Sequence, residues 1–331
     1  MKILVTGAAG FIGAHVCKAL SDEAYDVVGL DNLNNYYDVE LKYARLNELG
    51  VDRGELMENV KVHGKKGFSF YKLDINNANG IHELFGIEKF DQVLHLAAQA
   101  GVRYSVTNPR EYINSNLVGF FNILEGVRHH NVRRLLYASS SSVYGLNTTA
   151  PFSIKDKADS PASLYAATKK ANELIAHSYS HLFGIPTMGV RFFTVYGPWG
   201  RPDMALFKFT RSIFENTPIE IYNNGDMLRD FTFIDDVVGG LIQIIENKWP
   251  ETYNLQNIGR SEPIKLMDFV LEIEKCIGIS AIKEMKPLQL GDVTSTFADV
   301  SELKEQFNYS PSVSVKEGVK SFVDWYKNYY L

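Results

Sequence analysis

The amino-acid sequence predicts an α/β protein built on a doubly wound parallel sheet, with a smaller mixed α/β lobe at its C-terminal end. Short apolar runs such as "KILVT", "YDVVGL", "FSFY", "QVLHL" and "RLLYA" recur, separated by segments long enough for helices. Continuous apolar strands that alternate with helices are typical of a parallel sheet covered on both faces. After about residue 196 this repeat gives way to the turn-rich stretch "YGPWGRPDM". We therefore expect residues 1–195 to form the first domain and residues 196–331 the second.

The predicted elements follow one another in a simple order. The first strand is followed by a glycine turn and a helix from residue 11, and later strands are expected near 25–32, 68–75, 91–98, 134–141 and 186–193. Between the second and third of these, residues 34–66 form a polar helical segment and a loop to which the sequence assigns no function. Further helices are predicted over 161–184, 235–247, 267–277 and the C-terminal segment. We expect helix 235–247 to pack back on the first domain.

The overall charge of the chain bears on its partners. The 331 residues carry a formal net charge of −5. Nucleic acids are bound by concentrated Lys and Arg. We therefore expect no nucleic acid partner.

Cysteine content and hydropathy bear on location. The two cysteines, Cys17 and Cys276, are far apart and show no metal-ligand spacing, so we predict a reducing compartment and no metal site. No apolar run approaches the roughly 20 residues of a membrane span, and glycines interrupt the apolar N-terminus where a secretory signal would be continuous. The sequence thus predicts a cytoplasmic protein without a membrane partner.

Three glycines, Gly7, Gly10 and Gly13, stand at three-residue intervals between the first strand and the first helix. Such a turn lets backbone N–H groups approach a pyrophosphate and points a helix N-terminus at its negative charge. A sharp connection between strand and helix would need the same glycines, so the turn alone leaves both interpretations open.

Asp31, at the end of the second predicted strand, favours the interpretation that the glycine turn binds a dinucleotide. An acidic residue at this place accepts hydrogen bonds from both hydroxyls of the adenosine ribose. Because a carboxylate repels a ribose phosphate, we predict NAD rather than its phosphorylated form. An aspartate that only caps a turn is the alternative, and it is the combination with the glycines that argues for a cofactor.

Tyr165 and Lys169 lie four residues apart in the predicted helix "SLYAATKKANELIAHSYSHLFG", so they share one helix face. A lysine ammonium favours the phenolate and is expected to lower the pKa of the tyrosine from its usual value of roughly 10. Tyr165 is then a candidate proton acceptor and donor. One such pair can occur by chance among 18 tyrosines. Its position after the strand that ends in serines 139–142 favours a function.

With these motifs the chain resembles, over essentially its whole length, the extended short-chain dehydrogenase/reductase family of NAD-dependent epimerases and dehydratases. The resemblance implies a Rossmann-type domain in which a serine, a tyrosine and a lysine act together beside NAD. On this chain Ser140 would hydrogen-bond the reacting hydroxyl, Tyr165 would be the acid and base, and Lys169 would bind the nicotinamide ribose. The cofactor-binding residues it implies are Gly7, Gly10, Phe11, Ile12, Gly13, Asp31, Asn32, Asp74, Ile75, Leu96, Ala97, Ala98, Tyr165 and Lys169.

The two residues after Ser140 help to distinguish elimination from epimerisation. Dehydratases of the resembled family have Asp and Glu there, to protonate a leaving hydroxyl and to remove a proton beside the ketone; in the decarboxylases the second is Glu. Ser141 and Ser142 are neutral, so elimination lacks its acid and base. The resemblance then implies C4 epimerisation of a UDP-sugar through a transient 4-keto intermediate, with NAD retained between turnovers.

The C-terminal lobe bears on the sugar. The stretches "RFFTVYGPWGRPDMALFKF" and "YNNGDMLRDFTFIDDV" resemble those of family members that convert UDP-glucuronate to UDP-galacturonate. Enzymes for UDP-galactose generally carry Asn at the position of Thr194, where a hydroxyl beside two serines suits a carboxylate. The implied substrate-binding residues are Arg103, Ser140, Ser141, Ser142, Thr194, Arg201, Tyr222, Arg229 and Asp292. Of these, Arg201 and Arg229 are assigned to the diphosphate and Asp292 to the uridine ribose.

Several alternatives stay open. Epimerisation of UDP-glucose and UDP-galactose, or of several UDP-sugars, fits the same motifs. A dehydratase or decarboxylase is disfavoured by the neutral serines, and a non-catalytic NAD-binding protein by the retained Ser140, Tyr165 and Lys169. The resemblance also implies a homodimer, paired through the helix of Tyr165 and a helix over roughly residues 109–129. Apolar positions at helical spacing fit this pairing, but they fit ordinary core packing equally.

Overall fold

The structure, a computed structural model, describes residues 1–288 and 294–331. Its strands are Lys2–Thr6 (β1), Asp26–Asp31 (β2), Lys61–His63 (β3), Phe68–Lys72 (β4), Gln92–His95 (β5), Arg134–Ser140 (β6), Thr187–Phe192 (β7), Thr194–Tyr196 (β8), Ile219–Tyr222 (β9), Leu228–Phe233 (β10), Tyr253–Ile258 (β11), Pro263–Lys265 (β12), Lys283–Lys286 (β13) and Ser295–Thr296 (β14).

The α-helices are Phe11–Asp22 (α1), Glu40–Glu48 (α2), Ala78–Glu88 (α3), Tyr104–Thr107 (α4), Pro109–Tyr112 (α5), Gly119–His129 (α6), Leu164–Phe183 (α7), Ala205–Phe214 (α8), Ile234–Glu246 (α9), Leu266–Ile277 (α10), Ser301–Phe307 (α11) and Val315–Tyr330 (α12). Within the described ranges, no helix is both long and apolar enough to cross a bilayer.

The large sheet has eight strands in the order β11-β7-β6-β5-β1-β2-β4-β3, and this confirms the predicted doubly wound architecture. All neighbours pair in parallel except β3, which is antiparallel to β4. From β1 the chain builds outward to β2 on one side, and later to β5 on the other. Ligands of open α/β sheets bind outside the carboxyl ends of the strands at such a reversal of strand order.

Each face of the large sheet carries its own apolar core. Ile3 and Val5 belong to one buried cluster and Leu4 to the other, because alternate side chains of a strand point to opposite faces. The first cluster includes side chains of α1 and α9 and continues into the C-terminal lobe, where it includes Phe231. The second contains side chains of α3, α6 and α7, such as Phe120.

The C-terminal lobe is the smaller, mixed part that the sequence predicts. Its central strand β10 pairs with β12 antiparallel and with β8 and β14 in parallel. A separate parallel pair joins β9 and β13. Only Phe193 separates β7 of the large sheet from β8 of the second sheet, so the chain passes directly from one sheet to the other.

The chain also returns to the large sheet after β10. The following helix α9 packs against α1, and β11 then pairs with β7 along its whole length, from Tyr253 opposite Thr187 to Ile258 opposite Phe192. The edge strand of the large sheet, β11, therefore comes from residues that follow β8, β9 and β10 of the C-terminal lobe along the chain.

Candidate active site

A cleft of about 1180 Å³ lies outside the carboxyl ends of the large sheet and is closed on its other side by the C-terminal lobe. It brings together nearly all residues that the sequence assigns to cofactor and substrate. Those that line it are Gly7, Gly10, Phe11, Ile12, Gly13, Asp31, Asn32, Ile75, Leu96, Ala97, Ala98, Arg103, Ser140, Ser141, Ser142, Tyr165, Lys169, Thr194, Arg201, Tyr222 and Arg229.

Of the predicted residues that the structure describes, Asp74 is not in that lining. Asp74 accepts a hydrogen bond from the Asn32 amide, 2.8 Å away, so it holds a neighbouring loop rather than a wall of the cleft. Asp292, assigned to the uridine ribose, lies outside the described residues.

The glycine turn is packed too closely for larger residues. Gly7 has φ of +72°, and a Cβ added there would lie 2.9 Å from the backbone N of Ala97. A Cβ on Gly13 would lie 2.1 Å from the Gly7 carbonyl oxygen. Helix α1 begins at once, with Gly10 as its N-cap. A tight turn before a helix N-terminus is the arrangement that binds a pyrophosphate, because unpaired N–H groups and the helix dipole favour negative charge there.

Asp31 is buried at the end of β2. Its Oδ1 accepts a hydrogen bond from the Leu33 N–H at 2.8 Å and lies 3.6 Å from the ammonium of Lys42, which is also buried. Lys42 has no signal in the sequence, because the contact depends on how helix α2 folds back over the strand. The carboxylate is thus held in place at the cleft wall.

The four serines lie at the end of β6 and in the turn after it, and all of them line the cleft. Ser139 also donates to Glu173 of α7 at 2.7 Å. The Ser140 hydroxyl accepts from the Ser142 N–H and donates to the Ser142 hydroxyl, both at 3.2 Å. A 3₁₀ turn over Ser141–Tyr144 then carries the next two serines into the same cleft.

Helix α7 presents the tyrosine and the lysine to Ser140. Its N-cap, Ser163, accepts from the Ala166 N–H at 3.2 Å, so Tyr165 lies in the first turn. Burial of the hydroxyl raises the pKa of Tyr165, while its hydrogen bond with Ser140 and the charge of Arg201 act in the opposite direction. The prediction that the pKa of Tyr165 is lowered is therefore wrong in its direction here, because the loss of water outweighs the nearby positive charge.

Lys169 is 2% exposed and donates to the carbonyl of Ala138 at 2.8 Å. Burial lowers the pKa of its ammonium from 10.5 to about 8. Since that value is still above neutral, Lys169 remains mostly protonated at neutral pH. Its position on the cleft wall suits the ribose contact that the sequence implies.

We expect the variant Lys169→Met to be more stable than the wild type at neutral pH, by on the order of 1–3 kcal/mol. A lysine whose folded pKa is depressed costs stability fully below that pKa and not at all above its unfolded value. The gain should therefore shrink as the pH rises from about 8 to 10.5. Urea unfolding of both proteins across this range measures it, and a gain that stays constant with pH would contradict the titration argument.

A buried histidine lies beneath the cofactor side of the cleft. Thr6 Oγ accepts from the Ala97 N–H at 3.1 Å and shares a hydrogen bond with His95 Nδ1, 2.8 Å away. Burial and the charge of Lys169 lower the pKa of His95 to about 3. His95 is therefore neutral near neutral pH. Sequence patterns gave no sign of this arrangement.

The helix predicted over residues 109–129 contains a π-helical segment, Ile113–Val118. Within it the buried Asn116 accepts from the Gln99 N–H at 2.8 Å and donates to the Gln99 carbonyl and to Thr168 Oγ, each at 3.0 Å. The amide thus ties the loop after β5 to the helix of Tyr165. Sequence reasoning missed Asn116 because its partners are 17 and 52 residues away along the chain.

Two of the arginines that are predicted to bind the substrate, Arg201 and Arg103, contact neighbouring side chains. Arg201 donates through Nε and Nη2 to both oxygens of Asp203, at 3.0 and 2.6 Å, and the hydroxyl of Tyr36 donates to the same carboxylate at 3.1 Å. The guanidinium of Arg103 lies 4.7 Å from the ring centre of Tyr222. Both arginines line the cleft together with Arg229.

A buried ion pair joins α7 to β7. Arg191 donates to Glu173 through Nε and Nη2, each at 2.8 Å, and both side chains are 1% exposed. The hydrogen bond from Ser139 completes the surroundings of Glu173 Oε1. Burial raises the pKa of Glu173, but the hydrogen bonds and charge of Arg191 lower it more, so the carboxyl stays ionised.

Fold and cleft together indicate an enzyme that uses a dinucleotide cofactor. The chain belongs to the NAD-dependent epimerase/dehydratase family, whose model matches residues 3–256. This confirms the family that the sequence motifs indicate, together with NAD as the cofactor.

Relatives extend the match to the full chain. It is 44% identical over 346 residues to UDP-glucuronate 4-epimerase 2 of Arabidopsis thaliana, covering 100% of this chain and 76% of that protein. It is also 44% identical over 347 residues to the probable UDP-glucuronate 4-epimerase of Rhizobium meliloti (strain 1021), covering 100% and 98%.

Solved structures agree with this placement. The UDP-glucuronic acid 4-epimerase of Bacillus cereus, in complex with UDP-glucuronic acid and NAD, superposes with a TM-score of 0.90 at 36% identity, over 100% of both chains. A UDP-glucose 4-epimerase of Thermotoga maritima with UDP-glucose gives a TM-score of 0.86 at 26% identity, over 99% of both chains.

Proposed function

We propose that this protein is an isomerase, an NAD-dependent epimerase that inverts C4 of a UDP-sugar and converts UDP-glucuronate to UDP-galacturonate. The observation that carries the proposal is that Ser140, Tyr165 and the buried Lys169 line one cleft, which also contains the glycine turn. The full-length identity to relatives named for this activity supports it.

Several residues of the first domain suit the pyrophosphate and the two riboses of NAD. The glycine turn and the start of α1 would take the pyrophosphate, Asp31 the adenosine ribose and Lys169 the nicotinamide ribose. When bound, NAD supplies the hydride chemistry, accepting hydride from C4 and returning it. We propose residues 1–195 as the lobe that holds NAD and residues 196–331 as the lobe that holds the UDP-sugar.

The proton is carried by Tyr165. As the phenolate, Tyr165 takes the proton of the C4 hydroxyl during oxidation; as the phenol it gives that proton back during reduction, so the protein ends each turnover unchanged. Ser140 hydrogen-bonds the reacting oxygen and keeps it within reach of Tyr165. The raised pKa of Tyr165 suits the donating half-reaction, and the charge of Arg201, which lowers that pKa, favours the accepting half.

The neutral side chains around the sugar favour epimerisation over elimination. Ser141, Ser142 and Thr194 line the cleft and have no acid or base strength near neutral pH. Their hydroxyls can donate charge-assisted hydrogen bonds to a carboxylate, as the C6 group of glucuronate requires. Epimerisation of UDP-glucose and UDP-galactose, or of several UDP-sugars, is the second candidate, supported by the likeness to UDP-glucose 4-epimerases.

The purified protein is to be incubated separately with UDP-glucuronate and with UDP-glucose, without added NAD. We expect UDP-galacturonate as the product of the first mixture, identified by anion-exchange chromatography and NMR. Turnover of UDP-glucose alone would overturn the choice of sugar. A stable 4-keto product or release of carbon dioxide would overturn the reaction.

The proposed assembly is a cytoplasmic homodimer. Helices α6 and α7 are in contact, and Phe121 on one and Leu174 on the other are 46% and 62% exposed; exposed apolar side chains on neighbouring helices suit an interface. The T-shaped contact between the rings of Phe121 and Tyr179, 6.5 Å apart, shows that the two helices form one surface. Both cysteines are unpaired thiols, which suits a reducing compartment.

We expect Leu174→Asp to shift the particle mass from that of two chains to that of one, because a carboxylate in an apolar interface has no partner. Size-exclusion chromatography with light scattering measures it. Leu271→Asp is the matched control, since Leu271 is 46% exposed on α10 of the other lobe. A wild type that elutes with the mass of one chain would contradict the proposed dimer.

A further inference from the structure

Arg45 is a charged side chain that the proposed reaction does not use. It lies on α2, within residues 34–66, and is 1% exposed. Its Nη1 donates to the carbonyl of Ala9 at 2.9 Å and to the hydroxyl of Tyr37 at 2.7 Å. Its Nε and Nη2 donate to the carbonyl of Trp199 at 3.2 and 2.6 Å. One guanidinium therefore spans three separate segments of the chain.

The two carbonyls belong to the two sides of the cleft. Ala9 lies inside the glycine turn, directly before Gly10. Trp199 lies two residues before Arg201 and has φ of +61°, a conformation that is strained for a bulky residue. Its ring packs on Trp325 at 5.3 Å, so the strained backbone is held by Arg45 on one side and by the C-terminal helix on the other. The position of the Arg201 loop thus depends on Arg45.

The positive charge of Arg45, as well as its hydrogen bonds, indicates a role in binding an anion. The acceptors named above are neutral oxygens, and a buried cation without a paired anion is costly. A methionine of similar length would avoid this cost but could not bond the two carbonyls. The guanidinium also places positive charge directly behind the turn that suits a pyrophosphate, where it favours binding of an anion.

We propose that Arg45 is a positioning residue that couples the two diphosphate subsites of the cleft. It fixes the Arg201 loop to the glycine turn, so each ligand binds more tightly when the other has already ordered its side. The inference rests on the proposed function for the identity of the two ligands, NAD and a UDP-sugar. It assigns a role to residues 34–66, for which the sequence alone indicates none.

The test measures release of NAD from the holoenzyme with and without UDP, a probe that carries the diphosphate but no sugar. The protein is loaded with a fluorescent adenine analogue of NAD and chased with excess NAD. In the wild type we expect saturating UDP to slow release by at least about 5-fold, the lower end of common coupling. In Arg45→Met we expect UDP to change the rate by less than about 2-fold, since the two sides are no longer fixed to each other.

Arg53→Met is the matched control, because Arg53 follows α2 in the same segment but pairs with Glu40 at the surface, where both side chains are more than half exposed. It should keep the wild-type coupling. If Arg45→Met does not give a cooperative thermal transition, Arg45→Lys replaces it: lysine keeps the charge but loses the planar fork, so the coupling should still fall.

Wild-type coupling in Arg45→Met or in Arg45→Lys would overturn the inference, as would a wild type in which UDP does not affect NAD release. A general loss of stability would speed NAD release with and without UDP equally and leave their ratio unchanged. The assay measures NAD release and needs no turnover. Failure to epimerise UDP-glucuronate would therefore contradict the proposed function but would leave the measured coupling unaffected.

Discussion

Replacing Tyr165 by phenylalanine is expected to lower the rate of epimerisation by about 10³-fold, within the range that a positioned acid–base group contributes. The change removes only the phenolic hydroxyl and keeps the ring, which contacts Tyr112 edge-on at 6.0 Å. The fold and the binding of NAD should therefore persist. Formation of UDP-galacturonate under saturating UDP-glucuronate, together with the NAD content of the purified protein, measures both effects.

Tyr309→Phe is the matched control for that variant. Tyr309 is also buried and loses a hydrogen bond to the Gly259 carbonyl, 2.9 Å away, but it does not line the cleft. Its rate should stay close to that of the wild type. Equal activity of Tyr165→Phe and the wild type would show that the proton carrier is another group.

The variant Glu173→Gln is expected to reduce the free energy of unfolding by about 3–5 kcal/mol, the usual cost of breaking a buried ion pair from one side. Gln keeps the shape of Glu173 but leaves the buried charge of Arg191 without its carboxylate. Urea unfolding at neutral pH, followed by circular dichroism, measures the loss.

Glu302→Gln provides the comparison, because its pair with Lys155 is exposed and should contribute less than about 1 kcal/mol. The pH dependence follows from the lowered pKa of Glu173. The stabilisation is fully present above the ordinary value of 4.5 and is lost as the pH falls through the lower folded value. The difference between wild type and Glu173→Gln should shrink in acid. Equal losses for the two Gln variants would contradict the argument from burial.

Local patterns were sufficient to predict the elements and much of the cleft. The glycine turn is specified by backbone geometry, since a Cβ at Gly13 would collide with Gly7. The spacing of Tyr165 and Lys169 places both on one face of a helix whatever the rest of the fold does. Carboxyl ends of parallel strands meet at one edge, so Asp31 and Ser140 had to lie at the same side of the sheet.

Contacts between segments that are distant along the chain could not be predicted from such local patterns. Nothing near Arg45 in the sequence indicates that its partners are Ala9 and Trp199, which lie 36 and 154 residues away. The direction of the pKa shift of Tyr165 was also missed, because it depends on how much water the finished cleft excludes. The hydrogen bond from Asn32 to Asp74 could likewise not be read from their positions in the sequence.

The way the chain returns to β7 limits how this protein can be re-engineered. A chimaera cut at residue 195 would lack α9, which covers α1, and β11, which completes the edge of the large sheet. The exposed edge of β7 would then be a template for aggregation. A graft meant to import another sugar specificity must therefore leave residues 234–258 with the nucleotide half and exchange two separate stretches of chain, one on each side of them.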